Sequence, residues 1–340
     1  MRGLSVAGRR TNLALLALTL IAAVTGVLAF GIGGRWVRWA IVSHGVAGLG
    51  LVALAPWKTV IAARGVRRHR YGSTPSILLA ASLVAVTITG LGHATGLLVS
   101  MGPVSAIQLH VGSAIAGIAL LAWHVLARRT RPRLTDVTRR NLVRAGVVAG
   151  GAAAAYGSLE VAVHLLGLGG SERRSTGSYE RGSFVPATMP VTQWLNDRVP
   201  AIDAGGWTLS IEDASGPRRI GYGELDAHRE RMRATLDCTG GWWADQGWEG
   251  TILAGLFSGL EQASSIEVTS VTGYGRRLPS ADAGRLLLAT RVGGAPLSAG
   301  HGFPARLVVP GRRGFWWVKW VDRIALSDAP WWWQAPFPMA

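Results

Sequence analysis

The chain has 340 residues, 49% of them hydrophobic, a mean hydropathy of +0.28 and a formal charge of +16. That hydropathy is too high for an ordinary soluble protein of about two domains, so part of the chain is expected in a membrane. The positive charge does not point to nucleic acid, because the basic residues of the first half stand in short clusters between long apolar runs.

Between Arg10 and Arg35 there is no charged residue, and the run NLALLALTLIAAVTGVLAFGI is long enough to cross a hydrocarbon core, which takes about 20 helical residues. The alternative is a cleaved signal peptide, but the apolar run is long for one and further spans come after it. A second span runs from Trp36 to about Ala63, with Trp36, Trp39 and Trp57 at interfacial positions and Lys58 placed to snorkel. From Tyr71 to Ala127 no Asp, Glu, Lys or Arg occurs, and two more spans fit there around the turn Ser100-Met101-Gly102-Pro103. Loops holding Arg2, Arg9 and Arg10, then Arg64, Arg67, Arg68 and Arg70, then Arg128, Arg129, Arg131 and Arg133 alternate with one holding Arg35 and Arg38. The positive-inside rule then makes the amino terminus cytoplasmic and residues 1–133 a four-helix transmembrane bundle.

Residues 134–170 form a separate stretch. Its apolar segment, Ala145 to Leu168, is rich in Gly and Ala and carries Glu160. Just before it, TRRNLVR with Arg139 and Arg140 resembles a twin-arginine export signal, here internal; a plain cytoplasmic charge cluster is the other reading. A twin-arginine signal implies that the domain downstream of it crosses the membrane folded, as cofactor-loaded proteins do.

Five of the eight histidines, His44, His93, His110, His124 and His164, lie within apolar segments, where a titratable side chain needs a reason. His44 in the second span and His110 in the fourth stand at similar depth, as the axial ligands of a b-type haem iron must. Gly45, Gly48, Gly112 and Gly117 would admit a flat macrocycle, and would equally serve helix packing. His93, at about the same depth, competes as a ligand. His124 lies on nearly the same face as His110 roughly 21 Å along the axis, a spacing for a second haem, with only His69 and Lys58 as inner-side partners. Structural hydrogen-bonding histidines remain an alternative. The pattern of spans and histidines resembles membrane cytochrome b subunits that serve extracytoplasmic oxidoreductases.

Residues 171–187, with SERRSTGSYERGSFVP, read as a linker, and 188–340 as an extracytoplasmic domain. Strands are expected over Trp207–Ile211, Leu286–Ala289, Arg306–Val309 and Trp316–Ile324, and helices over Gly223–Arg233 and Thr251–Gly259. The fold class is thus an all-α transmembrane bundle followed by a β-rich α+β domain. Cys238 is the only cysteine, so it makes no intrachain disulfide; it is core filler, a reactive thiol or a soft-metal ligand.

The segments PVTQWLND, WTLSIED, the run into Cys238, WEG, VTGYGRRLP, LLLATRVGGAPLSAGHGFPARLVVPGRRG and VKWVDRIAL give the domain a resemblance to the molybdopterin domain of the sulfite oxidase family, which includes periplasmic methionine sulfoxide reductases. The resemblance implies a molybdenum–molybdopterin cofactor ligated by Cys238, with His301, Arg306, Trp317, Val318 and Lys319 binding the pterin or its phosphate. Sulfite oxidases carry an arginine pair just after the cysteine; here Trp242 and Trp243 occupy those places, and a tryptophan four residues after the cysteine resembles the sulfoxide reductase branch instead. No basic residue follows Cys238 until Arg276, so an anionic substrate would need Arg276, Arg277, Arg312 or Arg313.

The sequence therefore reads as a multi-pass membrane oxidoreductase transferring an oxygen atom, with electrons exchanged through haem b and the quinone pool. Its other partners are membrane lipid and a small substrate, and nucleic acid is not expected. A sulfite-type oxidase, or a haem conduit with a degenerate molybdopterin fold, are the alternatives. The tail WWWQAPFPMA is expected on the membrane or the outer end of the bundle, against packing on the domain's own core.

Overall fold

The computed structural model describes residues 8–33, 36–67, 74–102, 104–130, 132–193 and 197–337. Arg2, Arg35, Arg68, His69, Arg70, Pro103, Arg131, the Trp194-Leu195-Asn196 part of the domain's opening and Pro338-Met339-Ala340 lie outside the described residues. The chain divides into two compact units, one carrying the long helices up to Gly177, the other running from Ser178.

Five helices make the first unit: α1 (Arg9–Gly31), α2 (Val37–Arg67), α3 (Thr74–Thr95), α4 (Ala106–Ala127) and α5 (Arg139–Leu165). All five are long and apolar enough to cross a membrane by length and composition. They pair as α3 on α4 and α2 on α5, and α1 buries none of its residues. Polar residues fix the helix starts. Ser105 caps α4 by accepting the Gln108 N–H, and the Gln108 side chain accepts the Ser105 N–H at 2.8 Å. Thr138 caps α5 through the Asn141 N–H at 3.3 Å, so the Arg139–Arg140 pair forms the first turn of that helix.

The second unit is sheet-rich. Its elements in chain order are β1 (Tyr179–Glu180), β2 (Thr208–Asp213), β3 (Gly216–Gly221), α6 (Tyr222–Asp226), β4 (Glu230–Cys238), β5 (Trp242–Ile252), β6 (Ser265–Ser270), β7 (Gly275–Pro279), β8 (Leu287–Val292), β9 (Ala295–Pro296), β10 (Arg306–Val308) and β11 (Val321–Ser327). One sheet runs β3-β2-β11-β6-β7, antiparallel except where β2 lies parallel to β11. The other is built on β5, which pairs with β4 and β8 antiparallel and with β1 in parallel; β8 also takes β9 and β10. Along β5, Trp242, Ala244, Gln246 and Trp248 alternate into the interior, the period of two that a half-buried strand demands. Trp248, Trp317 and Trp320 are fully buried and supply the largest apolar areas of the core.

Three local expectations fail, each because tertiary pairing overrides local pattern. Helix over Gly223–Arg233 shrinks to the single turn of α6, since from Glu230 the chain pairs residue for residue with β5 and buries Ala234 and Leu236. Thr251 and Ile252 finish β5 against Leu288 and Leu287, and only a 3₁₀ turn over Leu253–Leu256 follows before Gly259 takes φ 73°. The expected strand at Trp316 begins only at Val321, because Gly314–Trp316 is a 3₁₀ turn and Trp316, Trp317, Val318 and Trp320 are all buried rather than alternating.

The tryptophan tail packs largely on its own domain. Trp331 lies against Trp316 and Phe337 against Phe315, with ring centres 6.3 and 5.6 Å apart. Arg276 and Arg277 donate to the carbonyls of Ala335 and Trp333 at 3.0 and 2.7 Å. Trp332 and Trp333 stay 61% and 70% exposed.

Candidate active site

The hairpin of β4 and β5 sets the site. Cys238 is the last residue of β4 and pairs with Trp242 across a turn closed by Gly241 at φ 90°. Cys238 therefore sits at a hairpin end rather than in an open loop. Its Sγ accepts the Gly240 N–H at 3.3 Å, and a Cβ on Gly314 would come within 3.1 Å of the Cys238 Cα, a tight contact that favours glycine where the 3₁₀ turn meets the end of β4. Behind the cysteine, Arg313 donates to Asp237 at 2.5 Å and to the Cys238 carbonyl at 3.2 Å, and Ser178 donates to the same carboxylate at 2.7 Å. This buried trio fixes the backbone that presents the sulfur.

Cys238 opens onto a cleft of about 620 Å³, counting its mouth, walled by Thr192, Gln193, Asp197, Trp242, Tyr274, His301, Arg306, Trp317 and Lys319 among others. The structure thus brings together Cys238, His301, Arg306, Trp317 and Lys319 from four separate segments. Val318 does not reach the cleft: it is fully buried, and its carbonyl accepts the Leu307 N–H at 2.8 Å. Both ring nitrogens of His301 are engaged, Nδ1 by the Ser298 hydroxyl at 2.8 Å and Nε2 by the Met189 carbonyl at 3.1 Å.

The cations are the informative part. Arg306 donates to the His301 carbonyl at 3.1 Å and lies over Trp248 and Trp317, while its buried Nε has no partner. Among the described residues Lys319 donates to the carbonyls of Thr192 and Gly300, at 3.0 and 3.1 Å. Burial brings Arg306 down to about 10, and burial together with the Arg306 charge brings Lys319 down to about 7. Burial also lowers His301, helped by Arg306, and raises the Cys238 thiol against the pull of the Gly240 N–H, Thr192, Arg313 and Arg306. Among the described residues neither Arg306 nor Lys319 forms an ion pair, so the cleft has an excess of buried positive charge. Such a set fits an anion carried in by a ligand.

Among the described residues there is also no group of three His, Cys, Asp or Glu able to hold a metal ion. A metal at Cys238 must then bring most of its own ligands, as one chelated by a dithiolene does. The four arginines offered above for an anionic substrate are all committed elsewhere. Arg313 pairs with Asp237, Arg312 with Asp282 between Trp316 and Trp331, and Arg277 with Glu267 and the tail. Arg276 stacks over Phe315 and Trp316 and holds the tail, with burial lowering it to about 10.

Comparison with known proteins agrees with this geometry: residues 196–333 match the family model described as "Oxidoreductase molybdopterin binding domain". The C-terminal part of the chain carries an oxidoreductase molybdopterin-binding domain of the sulfite oxidase family. Within it, the mitochondrial sulfite oxidase of Drosophila melanogaster is 44% identical over 59 residues, 16% of this chain and 10% of that protein. The mitochondrial sulfite oxidase of Homo sapiens is 44% identical over 60 residues, covering 16% and 11%. The nitrate reductase [NADPH] of Mycosarcoma maydis is 51% identical over 43 residues, covering 13% and 4%. The chain thus spans roughly a tenth or less of the length of these relatives. The sulfane dehydrogenase SoxCD of Paracoccus pantotrophus aligns at 23% identity and a TM-score of 0.35 over 38% of this chain and 40% of that one, too loosely to bear on chemistry.

Sequence reasoning missed Thr192, Gln193, Asp197 and Tyr274 as walls of the cleft of this molybdopterin-binding domain. Thr192 ties the site together, accepting the Trp242 indole N–H at 3.0 Å and hydrogen-bonding Cys238. Tyr274 donates to the Phe315 carbonyl, and burial raises it well above the usual phenol range. Its signal was present, since VTGYGRRLP is one of the segments that carry the resemblance, but nothing local marks a tyrosine in a tight turn as part of a distant cleft.

In the helical unit, His44 of α2 and His110 of α4 come together with ring centres 5.7 Å apart and planes at 79°. Each ring is oriented by a neighbouring helix: His44 Nδ1 bonds the Ala22 carbonyl at 2.8 Å and His110 Nδ1 the Val86 carbonyl at 2.9 Å. Glycines make the room. A Cβ on Gly26 would sit 3.2 Å from the His44 ring and one on Gly90 2.9 Å from the His110 ring. His93 is turned otherwise, with Nε2 bonded to the Gly177 carbonyl at 2.8 Å. His124 lies near Lys58 and Arg128 instead.

Proposed function

We propose that the chain is a membrane-anchored molybdopterin oxidoreductase that reduces a neutral sulfoxide- or oxide-type substrate by taking an oxygen atom from it, with the two electrons supplied through the membrane haem. One observation carries the enzyme reading: a lone cysteine faces a cleft whose buried Arg306 and Lys319 form no ion pair with a carboxylate among the described residues. The residues fit the cofactor. Cys238 is the one protein donor for the molybdenum, and Arg306 and Lys319 are placed for the pterin phosphate, with the orphaned Arg306 Nε as a spare donor. When bound, the cofactor supplies two-electron oxygen-atom transfer.

The chain's own residues do the rest. Arg306 and Arg313 favour the thiolate at Cys238 against the desolvation that opposes it. Trp242, anchored through Thr192, and Trp317 wall the cleft with apolar surface that excludes water and suits an uncharged substrate. Gln193 has a buried side-chain nitrogen without a partner among the described residues, and so a donor to offer an oxide oxygen. Sulfite oxidation is the second reading. It draws on the relatives named sulfite oxidase, and on Arg306 and Lys319 if either binds substrate.

The His44–His110 pair supports haem b. The two imidazoles, with ring centres 5.7 Å apart, would hold a haem iron between them, and the haem would supply one-electron transfer. With each Nδ1 spent on a carbonyl, each Nε2 is the nitrogen left for iron. Added Cβ atoms on Gly48 and Gly112 would meet nothing within 4 Å, which leaves room for a macrocycle beside both helices. In this reading the helices span the membrane with the amino terminus cytoplasmic, Arg139–Arg140 directs export of the folded domain, and electrons are exchanged with the quinone pool. The test is a screen of sulfoxides, N-oxides and sulfite on detergent-purified protein with its optical spectrum recorded. Turnover of a sulfoxide or N-oxide with a reducible b-type band supports the reading; turnover of sulfite alone replaces the substrate class.

A further inference from the structure

The helical unit holds a second cavity, about 470 Å³ with its open side, between α2, α5 and the segment 170–175. Its walls divide by chemistry. Ile41 and Val42 form an apolar side; Tyr156, Glu160, His164 and Arg173 form a polar one. Glu160 and Arg173 are an ion pair, the Tyr156 hydroxyl is hydrogen-bonded to both, and Arg173 also donates to the carbonyls of Ala94 and Gly170 at 2.5 and 3.0 Å. His164 Nδ1 donates to the Glu160 carbonyl at 2.8 Å, which leaves Nε2 as an acceptor. Charged and titratable groups held between helices this apolar mark a functional site by default.

We propose that this cavity binds the headgroup of a lipid-soluble quinone, a site that deepens the electron-exchange reading above and rests on it only for its purpose. The Ile41 and Val42 side of the cavity, on a helix apolar enough to span a membrane, suits a lipophilic molecule. A quinone is a flat ring with two opposed oxygens that accept hydrogen bonds as carbonyls and donate them as hydroxyls. The wall offers both partners: Arg173 donates, Glu160 and His164 accept, and the Tyr156 hydroxyl, bridging Glu160 and Arg173, holds that pair in place. An anionic lipid headgroup suits it less well, because the Arg173 charge is already matched by Glu160, although exposed Arg38 and Arg174 also border the cavity. The site abuts the residue after His44, since a Cβ on Gly45 would lie 2.4 Å from the Tyr156 ring.

The test is calorimetric titration of the detergent-purified full chain with decylubiquinone and with 2,3-dimethyl-1,4-naphthoquinone. At least one should bind saturably, and Glu160→Gln and Tyr156→Phe should each weaken it about tenfold, the loss of one good hydrogen bond. Val42→Trp, which fills the apolar side without touching the ion pair, should abolish binding while the melting temperature holds. Failure of both quinones to bind, affinity unchanged in all three variants, or tighter binding of dihexanoyl phosphatidylglycerol at the same residues would overturn the site. The haem band of the same samples is independent. Its absence with quinone binding intact removes the electron-carrier reading and leaves this site; its presence without quinone binding does the reverse.

Discussion

The candidate sites of the two units treat buried polar groups differently. In the helical unit, His44 and His110 each have one ring nitrogen tied to a backbone carbonyl of the neighbouring helix, and Glu160 is matched by Arg173. In the sheet-rich unit, Arg306 and Lys319 donate to carbonyls and form no ion pair among the described residues. A satisfied group reports what orients a ligand's donor; an unsatisfied one reports the charge the ligand must bring. In the proposed reading the helical unit would suit a metal that takes neutral nitrogens, and the sheet-rich unit an anionic cofactor.

The sharpest break in that comparison is Cys238→Ser, which should abolish turnover while leaving the haem band and the melting temperature in place; turnover in this variant would remove the cysteine from the chemistry. His44→Ala should remove the b-type band from the reduced-minus-oxidised spectrum without loss of molybdenum, and a band of unchanged height would send the ligand search to His93. Arg306→Met should cut retained cofactor about 10- to 100-fold, the usual effect of losing a supporting contact. Unchanged pterin content after gel filtration would show that this cation serves something else.

Smaller effects separate structural arginines from cofactor cations. Arg276→Ala should cost about 2 kcal/mol in urea unfolding, through lost stacking on Phe315 and Trp316 and a loosened tail, with KM unmoved. A raised KM would return Arg276 to the substrate pocket. Lys319 gives the pH signature. It titrates at about 7 in the folded protein against 10.5 unfolded, so between those values the unfolded chain binds more protons. Cofactor-free protein should therefore gain stability as pH rises through that window, on the order of 1–2 kcal/mol. Lys319→Met should flatten the dependence; a stability that falls over the same range contradicts the uncompensated charge.

How much was legible in the sequence depends on the same contrast. Apolar runs and a histidine inside one are one-dimensional signals, so five helices and the His44–His110 pair could be read from spacing. Cys238, Arg306 and Lys319 were reached through a resemblance, because nothing in their own neighbourhoods distinguishes a cleft arginine from a solvated one. Arg276, Arg277, Arg312 and Arg313 show the cost of that blindness: each looked available to a substrate, and each is bound to a carboxylate, an aromatic ring or the tail. Gly223–Arg233 was misread for a related reason, since the partner that makes a strand of its second half is β5, on the far side of a turn.

The central claim is that the Cys238 cleft holds a molybdenum cofactor, and the most direct measurement is the molybdenum and pterin content of full-length protein purified in detergent from a host that makes the cofactor. The account predicts both in stoichiometric amounts. Protein that is folded, and free of both despite that supply, would contradict it.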